Sequence, residues 1–361
     1  MKNIVFILLL ASASLFAQDE ISSTSSDDPF AGLKFRNIGP AFTSGRIADI
    51  AIHPGNSNIW YVAVGSGGVW KTVNSGVTWT PVFDSQPVYS IGCVSIDPNN
   101  PNTVWVGTGE DVGGRHVGIG DGVYKSTDGG KNWKNMGLKS SEHIGRIIIH
   151  PENSDVVYVA AQGPLWKKGG ERGIYKSNDG GENWKRVLGD DQWTGATDLV
   201  LDPRDPDRMY AATWQRHRNV AAYIGGGPGS GIHRSKDGGE TWERLTEGIP
   251  TSNLGKIGLA ISPQDPDMVY AAIELDRRTG GVFMSTNRGT SWVKQSNTVS
   301  GATGPHYYQE LYASPHAAGR LYLMDVRIQV SDDHGKTFRR LKESKKHSDN
   351  HAIAFREDDP N

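Results

Sequence analysis

Ser126-Thr127-Asp128-Gly129-Gly130-Lys131-Asn132-Trp133 is one of six copies of a Ser/Thr-x-Asp/Asn-x-Gly-x-x-Trp/Phe motif, and its recurrence decides the fold. The copies occupy 72–79, 126–133, 177–184, 235–242, 285–292 and 331–338, with closing aromatics 54, 51, 58, 50 and 46 positions apart. A spacing of about 40 to 50 residues is that of one four-stranded propeller blade. Within each copy the Asp or Asn side chain can accept backbone N–H groups of its own turn, Gly supplies a positive φ, and the aromatic is expected between neighbouring sheets. Asn74, Asp128, Asp179, Asp237, Asn287 and Asp333 are therefore read as residues that hold hairpins. Asn in two of the copies suits a hydrogen-bonding role and not a catalytic acid.

A second motif travels in step with the first. An apolar run ends in Pro and an aromatic follows seven positions later: Pro54/Tyr61, Pro98/Trp105, Pro151/Tyr158, Pro203/Tyr210, Pro263/Tyr270 and Pro315/Tyr322. Each unit thus reads as strand A (147–149 in the third), a Pro/Asn/Asp turn, strand B (156–160), strand C (173–176), the Asp-Gly-Gly turn, and strand D opening on the aromatic. Four short strands separated by turn residues make one antiparallel meander. The expected class is all-β: a propeller of six complete four-stranded antiparallel blades plus parts of a seventh.

The motif resembles the Asp-box, or BNR, repeat over roughly residues 35–361. The segment 122–133 is similar to secreted bacterial proteins related to the sortilin-type receptors and the xyloglucanase-type glycoside hydrolases. The resemblance implies a propeller and two classes of function, peptide capture or glycan hydrolysis, and the box does not choose between them. Xyloglucanase-type enzymes place their cleft between two propellers, with an acidic residue from each, whereas this chain holds one. Sialidases share the box, but Asn37 and Gly39 break their Phe-Arg-Ile-Pro start, and only Tyr307 or Tyr308 beside Glu310 imitates their nucleophile pair.

The two ends read as parts of one more blade. Phe35-Arg36-Asn37-Ile38-Gly39-Pro40 aligns with 133–138 as a strand D lacking its A, B and C, and 351–355 aligns with a strand A. A fragment of a longer protein is the expectation. Residues 1–17 read as a signal peptide, with Lys2, the apolar stretch 4–10 and cleavage after Ala17 or Ala13; 18–34 read as a flexible leader, and 35–361 as the propeller. No Cys follows the signal's cleavage site to carry a lipid except Cys93, and no later run is long enough to cross a bilayer as a helix. The implied location is secreted or periplasmic.

Composition excludes several classes. Lys and Arg number 38 against 40 Asp and Glu, a net charge of −2, which offers no general field for nucleic acid or membrane. Metal-ligand spacing is absent, and the Gly225-Gly-Gly-Pro-Gly229 stretch joins no strand to a helix, so no cofactor or metal is expected. The single Cys93 permits no internal disulfide and reads as a small buried residue.

In an A-B-C-D meander the A–B and C–D turns share one face, and the B–C and D–A loops share the other. The boxes occupy C–D, so every long insert decorates the opposite face. The B–C inserts are 110–116, 162–172, 214–231 and 276–278; the D–A loops add 141–143, 305–308 and 345–351, all rich in Arg, His, Trp and Tyr. That composition suits recognition of a carbohydrate or an extracellular peptide or protein. The candidate ligand face comprises Arg46, Glu110, Arg115, Trp214, Arg216, His306, Tyr307, Glu310, His347, Asp349 and His351. Trp166, Trp214 and Tyr307 are expected to form either a flat stacking platform or the wall of an open tunnel.

One column bears on catalysis. Five residues before each strand-A proline stand Asp49, Cys93, Arg146, Asp198, Gly258 and Glu310: four of six places carry a charge in an otherwise apolar inner strand, expected at the mouth of the central channel. Asp49, Asp198 and Glu310, with Glu110 and Asp349, are the candidates for the two carboxyl groups of a glycoside hydrolase, which needs separations of about 5–5.5 Å or 6.5–9.5 Å. Ion pairing of Arg146 with its acidic neighbours would equally satisfy the column with no ligand.

Overall fold

The computed structural model describes residues 45–189, 192–275, 279–301, 304, 306–356 and 358–359. The expected signal peptide, leader and Phe35-to-Pro40 strand lie outside them, as do residues 276–278 and Pro305.

The described residues form six four-stranded antiparallel sheets. Blade one pairs Ile47–Ile52, Trp60–Val64, Gly68–Thr72 and Thr80–Pro81 in sequence order; blade three pairs Ile144–His150, Asn153–Ala161, Gly173–Ser177 and Lys185–Leu188 in the same way. Blades two, four, five and six occupy 91–135, 194–244, 257–296 and 311–340. Blade four adds a small hairpin, His217–Arg218 with Tyr223–Ile224, between its second and third strands. First strands of successive blades lie side by side from blade one to blade six and surround the central channel.

The repeated turn explains why each hairpin closes where it does. Asp128 Oδ1 accepts the Ser126 hydroxyl at 2.8 Å and the Asn132 N–H at 2.9 Å, while Ser126 Oγ accepts the Gly130 N–H at 2.9 Å. Gly130 sits at φ +89°, where a side chain would be strained. Trp133 then donates its indole N–H to the Val82 carbonyl of the preceding blade at 2.7 Å, and Trp184 does the same to Met136. In the opposite direction Tyr61 and Lys71 both donate to the Gly129 carbonyl of the next blade's turn, and Tyr158 to Gly238. These turns, in blades two to four, are therefore bonded internally and latched to the previous blade.

Two features were not legible beforehand. The first strands of blades one to four are bulged, the pairing skipping Ala48, Gly92, Gly145 and Thr197, each just before the charged column. A bulge re-aims the following side chain. Residues 351–355, expected as a strand A, form no strand, nor does Arg356 after them. They run from blade six, where Phe355 packs 5.4 Å from the Tyr322 ring, to blade one, where Arg356 bonds the Ser57 hydroxyl. Between them and the outer face of blade one lies an apolar groove of about 550 Å³ lined by Ile50, Val62, Trp70 and Trp79. Cys93 is buried in the first strand of blade two, against Ile144 and Ile147 of blade three.

Candidate functional site

Three long loops, from blades two, three and four, converge over one end of the channel. Carbonyl groups of irregular loops need donors when buried, and three arginines supply them. Arg216 donates to the Val112 and Gly163 carbonyls at 3.0 and 3.3 Å, Arg218 to Gly113 at 2.8 Å, and Arg172 to Gln162, Pro164, Lys167 and Gly169. Arg216 is wholly buried, and desolvation brings its guanidinium down to about 10. Val112, Val117 and Leu165 with Tyr223 and Tyr307 form a small apolar plug in the same place.

Several predicted residues meet at this cap. Arg46 pairs with Glu110 at 2.8 Å and lies 5.5 Å over the Tyr307 ring; the Ser66 hydroxyl donates to Glu110 at 3.2 Å. Burial raises the Glu110 carboxyl, and the Arg46 charge opposes the rise. His306 packs its ring 5.0 Å from both Tyr223 and Tyr307, and its carbonyl receives the Gly113 N–H. Trp214 is buried, with its indole N–H on the Gly225 carbonyl and the Arg216 and Lys256 cations over its ring. Trp166 is 42% exposed, so Trp166, Trp214 and Tyr307 form neither a shared flat platform nor an open tunnel.

A second group adjoins the first through Tyr307 and Tyr308. The Tyr308 hydroxyl donates to Asp349 at 2.6 Å and its ring stacks on His351. His351 is buried and its pKa falls to about 3, by desolvation first and then by the Arg46 and Lys256 charges, so it is neutral. His347 stands almost fully exposed 3.7 Å from Asp349, and Arg115 is exposed.

The charged column lies beneath this cap. Asp49, Arg146, Asp198 and Glu310, with Asp111, Lys256 and Tyr312, line a chamber of about 20 Å³, room for roughly one water. Asp198 Oδ1 receives Arg146 Nη2 at 3.1 Å, and its Oδ2 receives the Leu259 N–H of the next blade at 2.9 Å. Asp49 accepts the N–H groups of Ile50 and, across the blade boundary, Val94. Glu310 pairs with Lys256 at 2.6 Å, and burial still lifts its pKa to about 7. The carboxylates thus bond adjacent first strands to one another.

Lys256, Tyr223 and Arg218 were missed. Lys256 had a visible signal: two residues before the column, blades one to four carry Ile47, Ile91, Ile144 and Ala196, where blade five carries Lys. Arg218 had none, because its role depends on which carbonyl folds against it. No group of three or more His, Cys, Asp or Glu among the described residues is arranged to hold a metal ion.

Comparison with known proteins places this architecture. The sortilin/Vps10 family profile (sortilin, neurotensin receptor 3) matches residues 121–250. The xyloglucanase Xgh74A of Acetivibrio thermocellus is 28% identical over 221 residues, 55% of this chain and 25% of that protein. The photosystem II assembly lipoprotein Ycf48 of Trichormus variabilis is 28% identical over 167 residues, 41% of this chain and 48% of that one. Among solved structures, the GH74 xyloglucanase from Xanthomonas campestris superposes with a TM-score of 0.62 at 15% identity, covering 80% of this chain and 45% of its own. A Ycf48 bound to D1 peptide gives 0.51 at 16% identity, covering 85% and 86%. The chain spans about a quarter to a third of the length of the xyloglucanases it matches. No described helix is long and apolar enough to cross a membrane. By its blades, its partial family match and these relatives, the chain is a β-propeller that resembles the sortilin-type and xyloglucanase-type propellers.

Proposed function

We propose that this chain is an exported recognition propeller that takes an extended polypeptide across its loop face. The observation that carries the reading is the condition of the carboxylates. Asp49, Asp198 and Glu310 are engaged in ion pairs or bonds between strands, under a cap that leaves about 20 Å³, far less than a sugar ring occupies. Hydrolysis at those residues would need the cap to lift and the strand bonds to break. The outer surface of the same cap is suited to binding: Trp166 and Val220 are exposed at 42% and 91%, and Arg115 and His116 of the blade-two loop are exposed as well. Val220 sits at the tip of the blade-four hairpin, which Arg218 anchors, so the apolar contact is held ready and little ordering is needed on binding. The Ycf48 that holds D1 peptide is a propeller of similar extent.

Glycan hydrolysis of the xyloglucanase kind is the second reading, supported by the xyloglucanase relatives, and it needs a second carboxylate from outside the described residues. The ring itself is proposed to close through a seventh blade, since 351–356 border the uncovered apolar face of blade one. Residues 1–17 are proposed as the export signal, 18–34 as leader and 35–361 as propeller.

The decisive experiment sets a peptide array against xyloglucan hydrolysis, using protein recovered from the export pathway and wild-type, Trp166→Ala/Val220→Asp and Asp198→Asn forms. Expected are an N-terminus at Gln18 or Ser14, peptide binding lost at least tenfold in the double variant, and no sugar release. Xyloglucan cleavage that disappears with Asp198→Asn would overturn the proposal.

A further inference from the structure

The central channel is divided in two by a polar layer. Asp49, Arg146 and Tyr312 line both the small chamber under the loop cap and a much larger cavity on the far side. That second cavity measures about 660 Å³ and is bordered by Pro54, Pro98, Pro203 and Pro263, so it opens toward the turns between first and second strands, away from the loop face. Its wall repeats from blade to blade. Three positions after the charged column stand Ile52, Ile96, Ile149, Leu201, Ile261 and Ala313, all lining it. Small-molecule sites are typically cavities of about 300–1,000 Å³, mostly apolar, with a few placed polar groups.

The polar groups here are donors. Arg146 spends Nε and Nη2 on Asp198; among the described residues its Nη1 makes no hydrogen bond, and the side chain is 25% exposed. The Tyr312 hydroxyl likewise has no hydrogen-bond partner among the described residues. The acceptors are already taken: both Asp49 oxygens receive backbone N–H groups, and both Asp198 oxygens receive Arg146 or backbone N–H groups. The formal charge around the layer is Arg146 and Lys256 against Asp49, Asp111, Asp198 and Glu310, a net −2. A carboxylate entering the funnel meets that surplus in a poorly solvated place, and an ammonium finds donors where it needs acceptors. An uncharged acceptor has neither problem.

We propose that this funnel binds an uncharged apolar molecule of small-ligand size carrying one hydrogen-bond acceptor, a ketone, ester or amide carbonyl, seated on Arg146 Nη1 and the Tyr312 hydroxyl. The site is independent of the loop face and stands or falls separately from peptide recognition.

Nile red, an uncharged dye with a carbonyl, is the probe, displaced in turn by 2-undecanone, undecanoate and undecylamine at pH 7. Binding is expected, with the ketone at least tenfold more effective than either ion. Ile149→Trp and, as a milder filling, Ala313→Phe should each weaken the dye at least tenfold. Tyr312→Phe should weaken the ketone about fivefold, as loss of one neutral hydrogen bond of about 1 kcal/mol requires. Val62→Glu, in the apolar groove of blade one, should change nothing. Absence of dye binding overturns the proposal. So does binding lost in Val62→Glu but kept in both filling variants, equal competition by undecanoate or undecylamine, or indifference of the ketone to Tyr312→Phe.

Discussion

Glu310 is the residue whose chemistry is most displaced from its ordinary state. Burial raises its carboxyl from 4.5 to about 7, and the Lys256 charge 2.6 Å away only partly opposes the rise. Because the folded value lies above the unfolded one, the folded protein holds an extra proton between about pH 4.5 and 7. Stability from this group is therefore complete below that window and is lost as pH rises through it. At about 1.4 kcal/mol per pKa unit the loss is on the order of 3–4 kcal/mol. Glu310→Gln, which fixes the neutral form, should leave stability close to the wild-type value below about pH 4.5 and flatten the decline between pH 5 and 7.5. Urea unfolding across that range checks this, and an unchanged slope would refute the assignment. Glu310 was visible in the sequence as a charge in an apolar column, and its neighbour Lys256 as a break in another. Trp214 and Arg216 were read from the same kind of evidence as surface recognisers, because aromatic and cationic residues in loops usually face water. They are buried here because three loops meet and their carbonyls demand donors, a circumstance that no local pattern records.

The blade's tight turn is the element that the sequence described best, since the bonds that shape it are made within eight residues. Asn74 and Asp237 occupy equivalent places and use them differently. Asn74 donates from Nδ2 to the Thr78 hydroxyl, whereas Asp237 accepts from the Thr241 hydroxyl; both accept the backbone N–H of that Thr at 2.9 Å. A hydroxyl turns to suit either partner. Asn74→Asp is therefore expected to shift stability by less than about 0.5 kcal/mol. Ser126→Ala should cost about 1–2 kcal/mol, because the Gly130 N–H, in a buried part of the turn, loses its acceptor. Thermal unfolding of the two variants side by side is the measurement, and a larger loss for Asn74→Asp would mean that the amide donor is the essential feature. The strand bulges were illegible for the opposite reason: they are set by pairing across the sheet, and Ala48, Gly92, Gly145 and Thr197 share no residue type that announces them.

At the scale of the molecule, each blade is bonded to the next through turn carbonyls, indole N–H groups and the Asp49 and Asp198 carboxylates. Stability of such an array is nearly a sum over blades and their interfaces. If the ring closes through a seventh blade, as proposed, all interfaces are equivalent and amide hydrogen exchange should be slow and similar in the second strands of all six blades. Exchange at 60–64 in blade one at least a hundredfold faster than at 157–161 in blade three would instead mean an open ring that frays from the uncovered groove.

Cys93 turns the same interface into a clock. Its thiol is shut between blades two and three, and burial holds its pKa well above the ordinary value, so it cannot react while the blades stay packed. With no other cysteine in the chain, the rate at which a thiol reagent such as dithionitrobenzoate is consumed counts separations of that one seam, molecule by molecule and without any engineered label.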